Sequence, residues 1–328
     1  MKLQKLLTLS HVAVGFVLFL AAGCGGWDTI SVETPATPPV PQASGLAFTP
    51  ASSLISRVHA APQEVIDDLN ALAAANQAGC VPYTATPAQL QLIADSLAKL
   101  PPLHRRMLEA GLSGIFLVDG FPPGGSACVV ALPSGRHEYI ACSRQVLEAG
   151  LSDWLRSQDE SCFIPGTPAR SLRIDCGPDT PAFLYILLRE STRVLMTEEL
   201  AMPASFAKDV WETRAHPLPA CDFPARQNVH YFGARGGPQI EAAKIDALYT
   251  ALARTPFASL YGSQNQDSDL AEFVAFYHLT QKLNLPYRIS VSDASGKPVL
   301  FEYEPMKAPA VMKRFAAMEL FYAAAAAK

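Results

Sequence analysis

The sequence lacks both an apolar run long enough to cross a membrane and any cluster of basic residues. Its long apolar run, from Leu6 to Leu20, falls short of the roughly 20 residues that a spanning helix needs. The 26 lysines and arginines are scattered among 30 acidic residues, and the net charge is −4. Because such a balance creates no field that gathers phosphates, it argues against nucleic-acid binding.

The motifs of several large enzyme classes are also missing. No glycine-rich phosphate loop and no Gly-x-Ser-x-Gly turn occurs, which argues against phosphate-cradling chemistry and against a hydrolase-type serine nucleophile. No Cys-x-x-Cys spacing occurs, so a zinc cluster held by thiolates is disfavoured. What remains is a globular composition, 49% hydrophobic and 17% charged over 328 residues, enough for one or two domains.

Residues 1–23 have the order of a secretory signal peptide. Lys2 and Lys5 precede the apolar run, and Ala21-Ala22-Gly23 follows it directly before Cys24. A basic start, an apolar centre and small residues at the end are what signal peptidases recognise. An ordinary signal peptide followed by an incidental cysteine is the alternative interpretation.

The end of this segment, Leu20-Ala21-Ala22-Gly23-Cys24, resembles the lipobox of bacterial lipoproteins, although Ala21 stands where that family usually has leucine. The resemblance implies cleavage before Cys24, a diacylglycerol on its sulfur and an acyl chain on its new amino group. Since each buried CH₂ contributes about 0.8 kcal/mol, several chains anchor a protein firmly in a bilayer. Gly25, rather than an aspartate, follows the cysteine, which by the family's rule favours the outer membrane. We therefore expect a lipid-anchored protein of the bacterial cell envelope, attached through Cys24.

Composition then divides the rest of the chain. Residues 24–58 are rich in Pro, Thr, Ser and Ala and cannot bury enough apolar surface to fold, which predicts a flexible spacer. Residues 59–328 are predicted to form one globular domain of the α+β class, mainly helical with a small sheet and hairpins. Thr86-Pro87 and Thr180-Pro181 mark helix starts. Periodicity predicts helices over 62–77, 86–100, 103–110, 180–197, 240–252, 268–283 and 308–322, a strand over 115–118, and hairpins over 127–142 and 287–303.

Six cysteines remain beyond Cys24, and an even number in an exported protein suggests disulfides. Cys128 and Cys142 lie symmetrically about Gly135 in the first predicted hairpin, which favours a cross-strand pair. Cys162 and Cys176 would close a short loop. Other pairings remain open.

One predicted helix carries the outline of a metal-binding motif. Two histidines four residues apart on a helix place both imidazoles on one face to hold one metal, and the glutamate after the first polarises bound water. The helix over 180–197 has the apolar flanks and the glutamate of this motif, Glu190, but arginines stand at both histidine positions, Arg189 and Arg193. Downstream, Phe257-Ala258-Ser259-Leu260-Tyr261-Gly262 leads into Asp269-Leu270-Ala271-Glu272.

Over residues 100–277 these segments resemble the zincin metallopeptidases related to anthrax lethal factor. In that family an acidic-apolar-Ala-Glu stretch carries the last zinc ligand, and strand, hairpin, motif helix and glutamate helix follow in the same order. The resemblance implies a zincin-like fold, with Glu190 at the position of the general base and Glu272 at that of the third ligand. It aligns Tyr261 with a tyrosine that steadies an oxyanion, and it makes Arg189 and Arg193 the former ligand positions.

Arginine is cationic at any working pH and offers no lone pair to a metal, so the zinc site is expected to be lost and Glu190 to be a vestigial base. We expect the two guanidiniums to take the place of the ion beside Glu190 and Glu272, using bidentate hydrogen bonds. The predicted protein needs no cofactor and acts as a non-catalytic binding or scaffolding module with a protein or peptide partner.

Two alternatives stay open on the sequence. The first is an active zinc metallopeptidase with rearranged ligands, in which His230 or His278 joins Glu272. The second is an unrelated envelope lipoprotein whose motif outline is accidental. For the two arginines themselves, the alternative is that Arg189 and Arg193 lie on the solvated face of an ordinary amphipathic helix, with Glu190 a chance neighbour.

Overall fold

The computed structural model of the chain describes residues 53–72, 79–121, 127–131, 137–164, 166, 170–197, 204–231 and 237–326. The predicted signal peptide, the predicted lipidation site Cys24 and nearly all of the predicted spacer lie outside these residues. Among the described helices, none is both long enough and apolar enough to span a bilayer. Helices and small sheets alternate along the chain, and the fold is of the α+β class.

Eleven helices are described, besides short 3₁₀ turns. Their bounds are α1 Gln63–Leu72, α2 Pro87–Ala98, α3 Pro102–Gly111, α4 Arg144–Glu148, α5 Leu151–Glu160, α6 Ala182–Thr197, α7 Ala204–Ala207, α8 Ile245–Leu252, α9 Gln266–Tyr277, α10 Pro309–Met312 and α11 Phe315–Ala326.

Ten strands are described, most of them short. Their bounds are β1 Val58–Ala60, β2 Val81–Pro82, β3 Gly114–Asp119, β4 Ala127–Ala131, β5 His137–Ser143, β6 Phe163–Ile164, β7 Arg170–Asp175, β8 Ile240–Glu241, β9 Arg288–Asp293 and β10 Val299–Tyr303.

The largest sheet has the order β1-β3-β5-β4, with β2 added antiparallel at one end of β3. Strands β1, β3 and β5 run parallel, while β4 runs antiparallel to β5 at the edge. Ile115 and Leu117 of β3 face the large core that contains α6, whereas Phe116 and Val118 face a second cluster that includes α1. Because both faces are covered, β3 is apolar and buried from Ile115 to Val118, as buried parallel strands are.

The other strands form an antiparallel sheet of order β10-β9-β7 and a parallel pair of β6 and β8. The two predicted hairpins correspond to β4–β5 and β9–β10. In the first, however, the backbone pairs Cys128 with Ala141 and Ala127 with Cys142, one residue away from the register that symmetry about Gly135 predicts. An irregularity between Val130 and Ala131 changes the register within the hairpin, from Ala131 opposite His137 to Val130 opposite Tyr139.

In the described part of the chain, no disulfide joins two of the five cysteines Cys80, Cys142, Cys162, Cys176 and Cys221. The side chain of Cys128 lies outside the described residues, and the predicted pairs Cys128–Cys142 and Cys162–Cys176 stay predictions.

The helix starting at Thr86 forms as its sequence predicts. The Thr86 hydroxyl accepts a hydrogen bond from the backbone N–H of Gln89, and the Gln89 side chain accepts one from the N–H of Thr86. Pro87 occupies the first helical position, where its missing N–H costs nothing. This capping box satisfies two backbone donors at the start of α2.

The fold begins earlier than the predicted boundary at residue 59. Leu54 and Val58 are buried in the large core, and the buried Arg57 donates hydrogen bonds to the carbonyl groups of Leu108 and Leu112 at the end of α3. The Arg57 guanidinium, which also donates to the Glu109 carbonyl, thus supplies hydrogen-bond donors to the carbonyl groups at this helix end.

Candidate functional site

Helix α6, which carries the altered motif, is the central helix of the domain. It packs against α2, α3, α4, α5 and α9, and every side chain from Ala182 to Leu195 is buried. Arg189 and Glu190 are fully buried, and Arg193 is 7% exposed. The alternative that places the two arginines on a solvated helix face is therefore wrong. The charged residues Arg189, Glu190 and Arg193 lie within the apolar core.

The helical repeat places three long side chains of α6 on one face. Tyr185, Arg189 and Arg193 follow each other at intervals of four residues, and such residues share one side of a helix. Helix α9 packs against this helix and contributes Glu272, which is 1% exposed. Asn265 caps α9 by accepting a hydrogen bond from the N–H of Ser268, the residue at which the sequence predicted this helix to begin.

The structure brings Arg189 and Glu272 into direct contact. Nε of Arg189 lies 2.8 Å from Oε1 of Glu272. The Tyr185 hydroxyl donates a hydrogen bond to the same oxygen, and the Ser259 hydroxyl donates one to Oε2 over 2.8 Å. Glu272 is thus held by a cation and two hydroxyl groups.

The predicted bidentate hydrogen bonding is wrong in its geometry. Only Nε of Arg189 approaches Glu272, and its N–H is not aligned for a hydrogen bond. NH1 and NH2 have no hydrogen-bond acceptor in the described part of the structure. The guanidinium instead lies over the rings of Tyr261, at 4.5 Å from the centroid, and Tyr185, at 5.3 Å. Aromatic faces therefore carry part of the stabilisation that a second carboxylate oxygen would give.

Arg193 makes looser contacts than Arg189. Its NH2 group donates a hydrogen bond to the Tyr261 hydroxyl over 3.3 Å, and its Nε lies 3.8 Å from Oε2 of Glu190. Neither oxygen of Glu190 accepts a hydrogen bond from any described residue. The carboxylate predicted as a vestigial base is therefore enclosed and contacts neither solvent nor a cleft.

Burial sets the protonation of this cluster. It raises the pKa of the Glu190 carboxyl, and the charges of Arg193 and Arg189 only partly offset that effect. For Arg189, burial opposes the charged form, but Tyr185 and Glu272 outweigh it and keep the pKa above its ordinary value. The pKa of Arg193 is likewise raised, because Glu190 and Tyr261 outweigh its burial. Both guanidiniums stay cationic at every working pH.

The histidines proposed as replacement ligands are engaged elsewhere. Nε2 of His230 lies 3.0 Å from the Gln227 carbonyl oxygen. Nε2 of His278 lies 2.8 Å from the Lys99 carbonyl oxygen, and its Nδ1 lies 3.1 Å from the Tyr322 hydroxyl. Within the described ranges, no group of three His, Cys, Asp or Glu side chains is arranged to hold a metal ion.

The residues at the former ligand positions do not fit zinc. A tetrahedral zinc site needs N, O or S donors with free lone pairs at about 2 Å. Arg189 and Arg193 offer only N–H donors, and the one suitable side chain, Glu272, already receives three contacts. Arg189 and Glu272 therefore form a buried ion pair and do not provide the ligands of a zinc site.

A second buried ion pair lies one turn earlier on α9, and the sequence pattern did not single it out. Arg314 donates to both oxygens of Asp269, at 3.0 and 2.5 Å, and the Trp211 indole N–H donates to the same carboxylate over 2.8 Å. The Arg314 guanidinium also lies 3.7 Å from the ring centroid of Phe206. The acidic residue that opens the Asp-Leu-Ala-Glu stretch thus ties α9 to the C-terminal helices.

Several functional contacts escaped sequence reasoning. The sequence does contain an indication of two of them. Tyr185 precedes Arg189 by one helical turn, and Ser259 lies in the Phe257–Gly262 segment already noted. Asp159, which accepts hydrogen bonds from Tyr249 and Tyr231, has no such indication, because its partners lie 90 and 72 residues away.

Comparison with known proteins gives no relative for this chain. No family model matches it, and neither a curated protein nor a solved structure is significantly similar.

Proposed function

We propose that this chain is a lipid-anchored protein of the bacterial cell envelope, with a domain of zincin-like ancestry that has lost its zinc ligands. The domain acts as a non-catalytic binding or scaffolding module for a protein or peptide partner. The observation that carries the proposal is the contact of 2.8 Å between Arg189 and Glu272, both about 1% exposed, at two former ligand positions.

The placement of Glu190 supports a non-catalytic domain. A general base has to come within hydrogen-bond reach of the proton that it removes, either directly or through one water molecule. Glu190 is fully buried, and its nearest charged neighbour is Arg193. A carboxylate in these surroundings has no path to a peptide substrate.

The cost of burying these charges supports a history of replacement. Removing an ion pair from water costs several kcal/mol per ion, and apolar residues of similar size often serve a core equally well. Helix α6 is apolar from Ala182 to Leu188, so its sequence offers no general reason for charges at the next positions. Substitution at an inherited metal motif explains why charges lie there and why each acid has a cationic neighbour.

Zinc affinity of a restored variant tests the proposal. We expect the intact protein to bind no zinc in equilibrium dialysis, and the double variant Arg189→His, Arg193→His to gain about one zinc per chain, with Glu272 as the third ligand. The matched control, Arg189→Lys with Arg193→Lys, keeps both positive charges and should bind none. Zinc bound by the unchanged protein together with chelator-sensitive proteolysis would support the active peptidase. A restored variant without zinc affinity would favour the unrelated lipoprotein.

A further inference from the structure

A cluster of aromatic and charged side chains lies where α9 packs against α11. Tyr277 ends α9, and α11 contributes Glu319 and Tyr322. Lys282 follows α9, and its Nζ lies 5.2 Å from the ring centroid of Tyr277 and 5.5 Å from that of Tyr322. The same nitrogen donates a hydrogen bond to Oε1 of Glu319 over 3.1 Å. Two aromatic faces and one carboxylate therefore contact one ammonium group.

Tyr277, Tyr322 and Glu319, which we call the ammonium cage, have the composition of a cation-binding site. An aromatic ring attracts a cation over its face because the ring quadrupole is negative there, and sets of aromatic residues recognise ammonium ligands in this way. The two rings are inclined by 50°, with centroids 5.8 Å apart, so they form two walls. Hydrogen bonds from Tyr277 and Lys282 lower the pKa of Glu319, which is therefore ionised at neutral pH.

Contacts other than those of the lysine hold the walls of the ammonium cage in place. The Tyr277 hydroxyl donates a hydrogen bond to Glu319, and the Tyr277 ring packs edge-on against Phe315. The Tyr322 ring stacks on His278 with the two planes 7° apart, and its hydroxyl lies 3.1 Å from Nδ1 of that histidine. The cage should therefore keep its shape when the lysine side chain leaves it.

Lys282 is a weakly held occupant of the cage. Its side chain is 36% exposed, and that of Glu319 is 59% exposed. Ion pairs with this much exposure contribute little to stability, because water screens the charges and the long side chain loses rotamer freedom. An ammonium group supplied from outside can therefore compete for the same position.

We propose that the ammonium cage binds a lysine side chain of the protein or peptide partner, and that Lys282 occupies the cage when this partner is absent. The resident side chain shows the fit, because the same four-carbon stem and ammonium group already lie there. An ethanolamine lipid headgroup fits less well, since it would bring its phosphate beside the carboxylate of Glu319. The inference rests on the proposed binding role but involves none of the former metal positions.

Binding of a lysine analogue to the full chain tests the cage. The probe is Nα-acetyl-lysine amide, and the ring NMR signals of Tyr277 and Tyr322 report its binding. Lys282→Ala removes the resident ammonium and should bind the probe about tenfold more tightly than the unchanged protein does. Adding Glu319→Gln to Lys282→Ala should remove most of this gain, because the carboxylate is lost. Nα-acetyl-norleucine amide, which lacks the ammonium, should not bind to either variant.

The matched control is Lys307→Ala. Lys307 also lies close to a glutamate, with its Nζ 2.6 Å from Oε2 of Glu304, and its side chain is 74% exposed. Because this lysine is outside the cage, its removal should leave the affinity for the probe unchanged.

Four results would overturn the assignment of the cage to a partner's lysine. They are equal affinity of Lys282→Ala and the unchanged protein for the probe, a gain that Glu319→Gln leaves intact, equal binding of the norleucine analogue, and tighter binding of phosphorylethanolamine than of the lysine probe. The last result would assign the cage to a lipid headgroup. The zinc affinity of the restored variant depends on none of these measurements, so failure of the cage and failure of the proposed function are distinguishable.

Discussion

At the scale of single residues, the sequence predicted that Arg189 lies beside Glu272, and the structure contains this contact. The motif outline predicted that these side chains are neighbours, because it placed them at two ligand positions of one former site. The outline contained nothing about Tyr185 and Ser259, which complete the surroundings of Glu272. The hydroxyl groups reach Glu272 because α6 packs on α9. That packing depends on contacts between residues far apart in sequence, which a local motif does not predict.

A double-mutant cycle tests how far Arg189 and Glu272 depend on each other. Arg189→Met and Glu272→Gln should each lower the free energy of unfolding by about 3–5 kcal/mol, since each leaves a buried partner without its counterpart. The double variant should lose less than the sum, with a coupling of at least about 1 kcal/mol. Denaturant unfolding at pH 7 measures all four proteins.

An exposed pair gives the reference for this cycle. Arg144 lies 2.7 Å from Glu148, and both side chains are more than 40% exposed. Arg144→Met should therefore cost less than about 1 kcal/mol. If the losses in free energy of unfolding of the two single variants simply add in the double variant, then Arg189 and Glu272 do not stabilise one another.

Tyr261 shows how a residue was identified but its surroundings were not. The family resemblance aligned it with a tyrosine that steadies an oxyanion. In the structure its ring lies under the Arg189 guanidinium, and its hydroxyl accepts a hydrogen bond from Arg193. Both contacts depend on the arginines at the two positions where the zincin motif has histidines.

At the scale of elements, local signals predicted helices with clear starts. The Thr86 capping box marked α2, and Thr180-Pro181 marked the start of α6. Helix α5 was missed because Gly150 caps it without a side-chain hydrogen bond, so no start signal exists. Strand β7 was also missed, although its buried Leu172 and Ile174 alternate with more exposed residues as strands do.

Two elements deviate from their predicted course for reasons that lie elsewhere in the chain. Ile240, predicted as the first residue of a helix, pairs in a strand with Phe163, and that partner is remote in sequence. The predicted C-terminal helix is interrupted between Met312 and Phe315, where the buried Arg314 turns inward to Asp269. Pairing and charge burial at long range override local periodicity in both cases.

At the scale of the whole molecule, the class of fold followed from the sequence, while its layers did not. Helices, then a few strands, then mostly helices predicted an α+β domain. The parallel register of β1 with β3, and the second core beneath them, depend on contacts that no local pattern carries. Two buried charge pairs, Arg189–Glu272 and Arg314–Asp269, lie in the interior of the described part of this domain.

Lipid attachment is the prediction that concerns the whole molecule. In a bacterial host, the full-length protein should partition into the detergent phase of a Triton X-114 extract and follow the outer membrane in a density gradient. Cys24→Ser should move it to the aqueous phase, because the sulfur that carries the diacylglycerol is lost. The control Cys221→Ser should keep membrane association. A Cys24→Ser protein that stays in the detergent phase would refute attachment through this residue.

The central claim is that a buried ion pair occupies the place of a metal centre. Crystals of the unchanged protein, grown with excess zinc and measured at the zinc absorption edge, test it most directly. We expect no anomalous peak within about 2 Å of Glu272, the distance of a coordinating oxygen, and a guanidinium of Arg189 against that carboxylate. A zinc peak bound to Glu272, with Arg189 displaced, would contradict the claim.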